Sequence, residues 1–200
     1  MKKIKTILQN IPEKSGPLEK NTTSLRWKKD VIEFFKDKKL NNCLEIGTWH
    51  GRTTKVLSEI FKEVWTVEIK QNRVDIAKDF CSSCSNINFI CGDAYRDETY
   101  ATIPDKFDVI VIDCEHTYQH VIEDINRGLD LIDKKVYFVF DDYGHSELVG
   151  VHYAINDAIE QGLKIEKMIG EEKGTWIDRG DKPPLRLMAR EGLIASYELK

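Results

Sequence analysis

Five short apolar runs in this chain each stop on an acid. "CLEIG" carries Glu45, "VWTVEI" Glu68, "INFICGD" Asp93, "FDVIVID" Asp113, and "KVYFVFDD" Asp141 and Asp142. One carboxylate in such a place usually caps a turn. Five in succession favour a site, because ligands of open α/β sheets lie beyond the carboxyl ends of the strands. Glu68 lies 23 residues after Glu45, where a carboxylate can accept hydrogen bonds from both hydroxyls of a ribose. Asp93 is placed to receive the amino group of an adenine.

The loop after the first run, "EIGTWHGRTT", holds Gly47 and Gly51. A dinucleotide fingerprint G-x-G-x-x-G begun at Gly47 would need glycine at positions 49 and 52. Trp49 and Arg52 stand there. The second glycine of that pattern lets backbone touch a pyrophosphate, so Trp49 argues against a nicotinamide-dependent oxidoreductase. The loop still enters a helix, with Thr53 and Thr54 near its start. A helix N-terminus favours one anionic group such as a carboxylate. Adenosine plus a carboxylate, without phosphates, describes S-adenosylmethionine.

These residues need elements to position them. The 200 residues suit one domain, 41% hydrophobic and 32% charged. A net charge of −4 disfavours nucleic acid as the main partner. No continuous signal-peptide core or bilayer-spanning run is present, so a cytoplasmic protein without a membrane partner is expected. Residues 1–23 read as an N-terminal arm, and 24–200 as the domain. Ser24 is the expected N-cap of a helix with Leu25, Trp27, Val31, Phe34 and Phe35 in phase. Five strand-then-helix units follow, which predicts an α/β domain with a mainly parallel sheet and helices on both faces. Ile122, Ile125, Leu129 and Ile132 form the expected core stripe of the fourth unit's helix. After Gly162 two strands, "LKIEKMIG" and "LRLMAREGLIASYEL", flank an expected loop with Gly174, Gly180, Pro183 and Pro184, giving an antiparallel edge pair. The five cysteines read as free thiols, and the Cys81/Cys84 pair lacks the second half of a zinc site.

From about Leu25 to Leu199 the chain resembles the class I S-adenosylmethionine-dependent methyltransferases. "LEIGTWHGRTT" is similar to their first motif, "VEI" to the acidic second-strand motif and "GDA" to the adenine-side motif. The resemblance implies a Rossmann-like seven-stranded, mainly parallel sheet with an antiparallel C-terminal edge pair. It implies a cofactor site of Glu45, Gly47, Thr48, Trp49, Gly51, Thr53, Glu68, Asp93, Ala94 and Asp113. More narrowly, "FDVIVIDCEHTYQHVIEDI" followed by "VYFVFDDYG" resembles metal-dependent sugar and macrolide-glycoside O-methyltransferases. In that group Asp113, Asp141 and Asp142 would hold Mg²⁺, and a basic group, here His116, follows the fourth-strand aspartate by three residues. Three carboxylates on adjacent strand ends repel one another without a cation, and oxygen ligands select a hard ion: Mg²⁺, with Mn²⁺ or Ca²⁺ as alternatives.

The expected activity is Mg²⁺-assisted O-methylation of a hydroxyl on a small molecule such as a sugar or glycoside. Asp113 and His116 are the expected catalytic residues, with His116 as base and His145 second. The acceptor is expected to meet residues 1–26, Ala94–Lys106 and Glu171–Pro184, with Tyr95, Tyr100, Tyr118, Tyr143 and Trp176 as candidate lining. A homo-oligomer is left open. The competing readings are the oxidoreductase, a non-catalytic methyltransferase-like binding module, and N-methylation, whose amine acceptor would not need the acidic cluster.

Overall fold

The computed structural model describes residues 22–104, 106–145, 147–179 and 182–199. Apart from Thr22 and Thr23, the N-terminal arm lies outside them. In chain order the elements are α1 (Leu25–Phe35), β1 (Asn42–Ile46), α2 (Arg52–Ile60), β2 (Glu63–Glu68), α3 (Gln71–Phe80), β3 (Ile87–Cys91), α4 (Asp97–Tyr100), β4 (Val109–Ile112), α5 (Tyr118–Asp130), β5 (Lys135–Phe140), α6 (Val149–Glu160), β6 (Lys164–Arg179) and β7 (Lys182–Glu198). The sheet order is β3-β2-β1-β4-β5-β7-β6. Strands β1 to β5 pair in parallel, and β7 pairs antiparallel with β5 and β6. No helix among the described residues is long and apolar enough to cross a membrane.

Side chains alternate across each strand, which explains why apolar runs without polar gaps suit this sheet. Cys43, Val109, Val111 and Val139 enter one cluster with Trp27, Val31 and Phe35 of α1. Leu44, Ile46, Ile110, Ile112, Phe138 and Phe140 enter the other, beneath α5 and α6. Ser24 caps α1 as expected, accepting from the Trp27 N–H at 3.0 Å. The α1 helix is tied across the fold. The Trp27 indole N–H donates to the Phe140 carbonyl at 3.3 Å. Asp30 accepts the Gly170 N–H at 3.1 Å.

Two expectations change. The stretch 171–184 is mostly strand, because β6 runs to Arg179 and β7 starts at Lys182. Pro183 and Pro184 fit there because β7 pairs with β5 only over Leu193–Glu198, leaving its first half without that neighbour. On α5 the buried face is Val121, Asp124, Ile125 and Gly128. Ile122, Leu129 and Ile132 pack only part-buried at its margin.

Close approach fixes the sheet's business end. A Cβ on Gly47, whose φ is +101°, would lie 1.9 Å from the Asp113 carbonyl oxygen. Gly47→Ala should therefore cost more than about 3 kcal/mol, the top of the ordinary range for one substitution, read as a lowered denaturant midpoint at unchanged slope. Glu45 is 1% exposed, and burial raises its pKa to about 8 despite hydrogen bonds from Thr54 and Thr66. The native state thus holds a proton that the unfolded chain releases near 4.5. That contribution is complete below the unfolded value and is lost as pH rises toward 8. Glu45→Gln should flatten the fall in unfolding free energy between pH 5 and 8, measured by urea denaturation across that range.

Candidate active site

The β1–α2 loop is built around backbone geometry. Gly47 and Gly51 take positive φ, and so does Trp49 at +50°. Gly51 starts α2 without a side-chain cap. The Trp49 N–H donates to Glu68 Oε2 at 3.1 Å, and the Lys70 N–H donates to Glu68 Oε1 at 3.0 Å. Arg73 pairs with the same carboxylate at 3.4 Å and lies over the Trp49 ring at 3.7 Å. Trp49 thus forms a wall beside Glu68 where a pyrophosphate-binding glycine would leave space.

Other expected cofactor residues are turned into the structure. Glu45 accepts the hydroxyls of Thr54 at 2.5 Å and Thr66 at 2.6 Å. Thr48 shares a 2.5 Å contact with Thr66, and Thr53 a 3.0 Å contact with Thr23. These three brace the loop. Asp93 accepts the Tyr95 N–H at 3.0 Å and lies 3.6 Å from Arg96. Ala94 is buried in the core.

Beside this loop β4 and β5 end at the acidic group. His116 Nε2 lies 3.0 Å from Asp142 Oδ2 and 3.9 Å from Asp113 Oδ1. One ligand atom each from Asp113, His116 and Asp142 can be chosen so that all lie within 4.8 Å. Asp142 is held there at a φ of +56°. Asp141, expected with them, is not one of these close ligand atoms but lines the same cavity. It is buried and its Oδ1 has no hydrogen-bond partner among the described residues. Burial, followed by repulsion from Asp113 and Asp142, raises its pKa well above the carboxylate range. Asp113, His116, Asp141, Asp142, His145 and Lys173 line one cavity of about 350 Å³. The Asp113 and Asp142 carboxylates and the orphaned buried oxygen of Asp141 fit a hard divalent cation, with the His116 imidazole beside them. The Asp113 and Asp142 carboxylates raise the His116 pKa to about 10, so the imidazolium itself is their counter-charge.

Two charged groups escaped the sequence reading. Lys28 is buried on α1; its ammonium donates to the Thr23 carbonyl and to Thr22 Oγ1 at 3.4 Å. Burial lowers its pKa to about 8, against the field of Asp141, Asp113 and Glu191. Its signal was a lysine in phase with Val31, Ile32 and Phe35. Glu191 lines the cavity and accepts the Ser24 N–H at 2.6 Å and the Glu171 N–H at 3.1 Å. Nothing near it in sequence marks a partner 167 residues away.

Tyr100 and Tyr143 are buried in the core. Tyr118 donates to Asp157 at 2.7 Å, and Tyr95 stacks on His120 at 4.4 Å between ring centres. The Trp176 side chain lies outside the described residues. His152 packs on Tyr143 at 4.7 Å, and His50 on Trp49 at 4.8 Å. Cys81 and Cys84 are free thiols, and Cys81 lies under Gly51, its Sγ 3.3 Å from that carbonyl.

Residues 44–143, half of the chain, match a family described as a methyltransferase domain. An uncharacterized protein of Acanthamoeba polyphaga mimivirus is 37% identical over 111 residues, which cover 50% of this chain and 50% of that protein. The chain thus matches about half the length of that relative. Among solved structures, an O-methyltransferase of Bacillus cereus in complex with SAH aligns with a TM-score of 0.60 at 16% identity, over 100% of this chain and 91% of that one. The O-methyltransferase of Streptomyces achromogenes involved in tomaymycin synthesis, in complex with SAM, aligns at 0.63 and 16%, over 100% and 91%. A tRNA methyltransferase of Aquifex aeolicus aligns at 0.63 and 18%, over 97% and 75%. The chain belongs to the methyltransferase-domain family and has the class I S-adenosylmethionine-dependent methyltransferase fold.

Proposed function

We propose that the chain transfers a methyl group from S-adenosylmethionine to a hydroxyl of a small, polyhydroxylated acceptor such as a sugar or glycoside. One observation carries this reading: the expected cofactor loop adjoins a polar cavity that holds Asp113, His116 and Asp142 together. The cavity is at the small end of the range for ligand sites, about 300–1,000 Å³. Its carboxylate, imidazole and lysine lining offers hydrogen bonds to hydroxyls.

In this scheme Glu68 holds the ribose and Asp93 the adenine amino group, while Trp49 walls the cofactor in. S-adenosylmethionine supplies a methyl on a sulfonium, already activated for in-line attack. Mg²⁺ or Mn²⁺ would be held by Asp113 and Asp142, with Asp141 in the same cavity, and would supply charge that acidifies a hydroxyl. His116 Nε2 faces the same carboxylates. With their charge offset by such an ion, its pKa would fall toward the ordinary value and the ring could take the acceptor's proton. Positioning the hydroxyl in line with the methyl supplies much of the acceleration.

Titration calorimetry should show S-adenosylhomocysteine binding and no NAD binding. Glu68→Ala should weaken the former about 10- to 100-fold, the worth of one or two hydrogen bonds to a charged group. Equal affinity in that variant would remove Glu68 from the cofactor site. In a methyl-transfer assay on candidate sugars, His116→Ala should lower turnover about 10²- to 10⁴-fold while leaving S-adenosylhomocysteine affinity within about 3-fold, under half the energy of a tenfold change. Full activity after exhaustive chelation would sink the cation's part in the scheme.

A further inference from the structure

Asp124 belongs neither to the cofactor carboxylates nor to the acidic cavity. It lies on α5 in phase with Val121, Ile125 and Gly128, and is 1% exposed. Neither of its carboxyl oxygens has a hydrogen-bond partner among the described residues. Buried polar groups are nearly always paired, and an apolar side chain in this place would remove the cost of leaving one unpaired.

Three side chains from outside α5 share its surroundings. Tyr95 and Tyr100 come from the segment that leads from Asp93 through α4, and Cys114 follows β4. After burial, the Asp124 charge is the next influence raising the pKa of each. Burial, then Glu123 and Glu115, raises Asp124 itself to about 8, so at neutral pH its carboxyl is mostly protonated and can both donate and accept. Among the described residues the Tyr100 hydroxyl is buried without a partner too, and the Tyr95 hydroxyl reaches Cys114 Sγ alone, at 3.9 Å.

The same seam is already clamped around these groups. His120 of α5 stacks on Tyr95 at 4.4 Å. Arg127 lies 4.8 Å from the Tyr100 ring centre and donates to Asp97 at 2.7 Å. His120 and Arg127 lie one turn either side of Asp124, so the segment that begins at Asp93 packs both tyrosine rings against the part of α5 that carries Asp124. That segment is the adenine side of the S-adenosylmethionine reading, on which this inference rests.

We propose that Asp124 is a positioning residue for the adenine subsite: when adenine is seated, the Asp93–Tyr100 segment settles onto α5, and the Tyr95 and Tyr100 hydroxyls hydrogen-bond the Asp124 carboxyl. Asp124 touches no reacting atom. Its effect reaches the cofactor only through the loop.

The test is calorimetry of adenosine and of S-adenosylhomocysteine on the full chain and its variants, with melting curves to confirm folding. Asp124→Ala should weaken both ligands by the same factor, about 5- to 10-fold, the worth of one ordinary hydrogen bond. Asp124→Asn, which keeps donor and acceptor, should restore most of the loss. Tyr95→Phe should weaken binding in the wild-type background and change nothing in Asp124→Ala. In turnover, Asp124→Ala should raise the KM for S-adenosylmethionine and leave kcat unchanged. Wild-type adenosine affinity in Asp124→Ala would overturn the inference, as would losses that multiply independently in the double variant. If Asp124→Ala does not fold, Tyr95→Phe/Tyr100→Phe decides: weaker adenosine binding supports the clamp, and unchanged binding overturns it. A wild-type chain that binds no S-adenosylhomocysteine defeats the cofactor reading itself, a result distinct from any difference between variants.

Discussion

Three strand ends converge on a residue with no side chain. The Gly47 N–H donates to the Val67 carbonyl of β2 at 3.0 Å, and the Asp113 N–H just after β4 donates to Ile46 at 3.0 Å. The Asp113 carbonyl then lies where a Gly47 Cβ would be. This contact sets the separation of the loops that leave β1 and β4. Trp49 and Glu68 stand on one side of it, Asp113 and His116 on the other. Glu45, Thr54 and Thr66 brace the same corner from beneath. The site is therefore an outcome of close backbone packing, and its chemistry depends on a distance that only glycine permits.

Charge compensation is the second organising term. Asp113, Asp141, Asp142 and Glu191 surround one cavity. His116 answers Asp113 and Asp142 across 3.9 and 3.0 Å, and Lys28 answers from below, at the cost of its own desolvation. Glu191 is held by the Ser24 backbone and hydroxyl. The protonation state of His116 is thus set by its neighbours. In the proposed scheme a cation entering the site would compete with the imidazolium for the same two carboxylates, which would link ion binding to the availability of a base.

Much of this was legible locally. The strands are continuous apolar runs, and their acidic ends mark the sheet's edge, so the fold and the neighbourhood of Glu68, Asp113, His116 and Asp142 followed from pattern. What stayed hidden depends on partners far away in sequence. Glu191 meets Ser24 across 167 residues. Lys28 and Asp124 each occupy a core phase of an amphipathic helix, and a stripe judged by its apolar members passes over the polar one. Asp141 and Asp142 are neighbours in sequence and line the same cavity, but Asp141 is buried while Asp142, at positive φ, pairs with His116. The 171–184 stretch misled because proline, which lacks an N–H, interrupts a strand only where a ladder needs that donor. Here one side of the ribbon lacks the β5 neighbour.

The tie between α1 and the last strand bears on the order of assembly. Ser24 reaches Glu191, Asp30 reaches Gly170, and Gly192 gives room for the Trp27 indole. The first described helix, which also packs on β1, β4 and β5, therefore completes its set of partners only with β6 and β7. On a ribosome, which releases the N-terminal end first, these ties must wait until β6 and β7 emerge. Contacts of such long sequence separation carry a large loop-closure cost and form slowly. The core of five parallel strands can gather earlier. The acidic cavity, walled by Glu191 of β7 and underlain by Lys28 of α1, is therefore complete only when the two ends of the described chain are docked together.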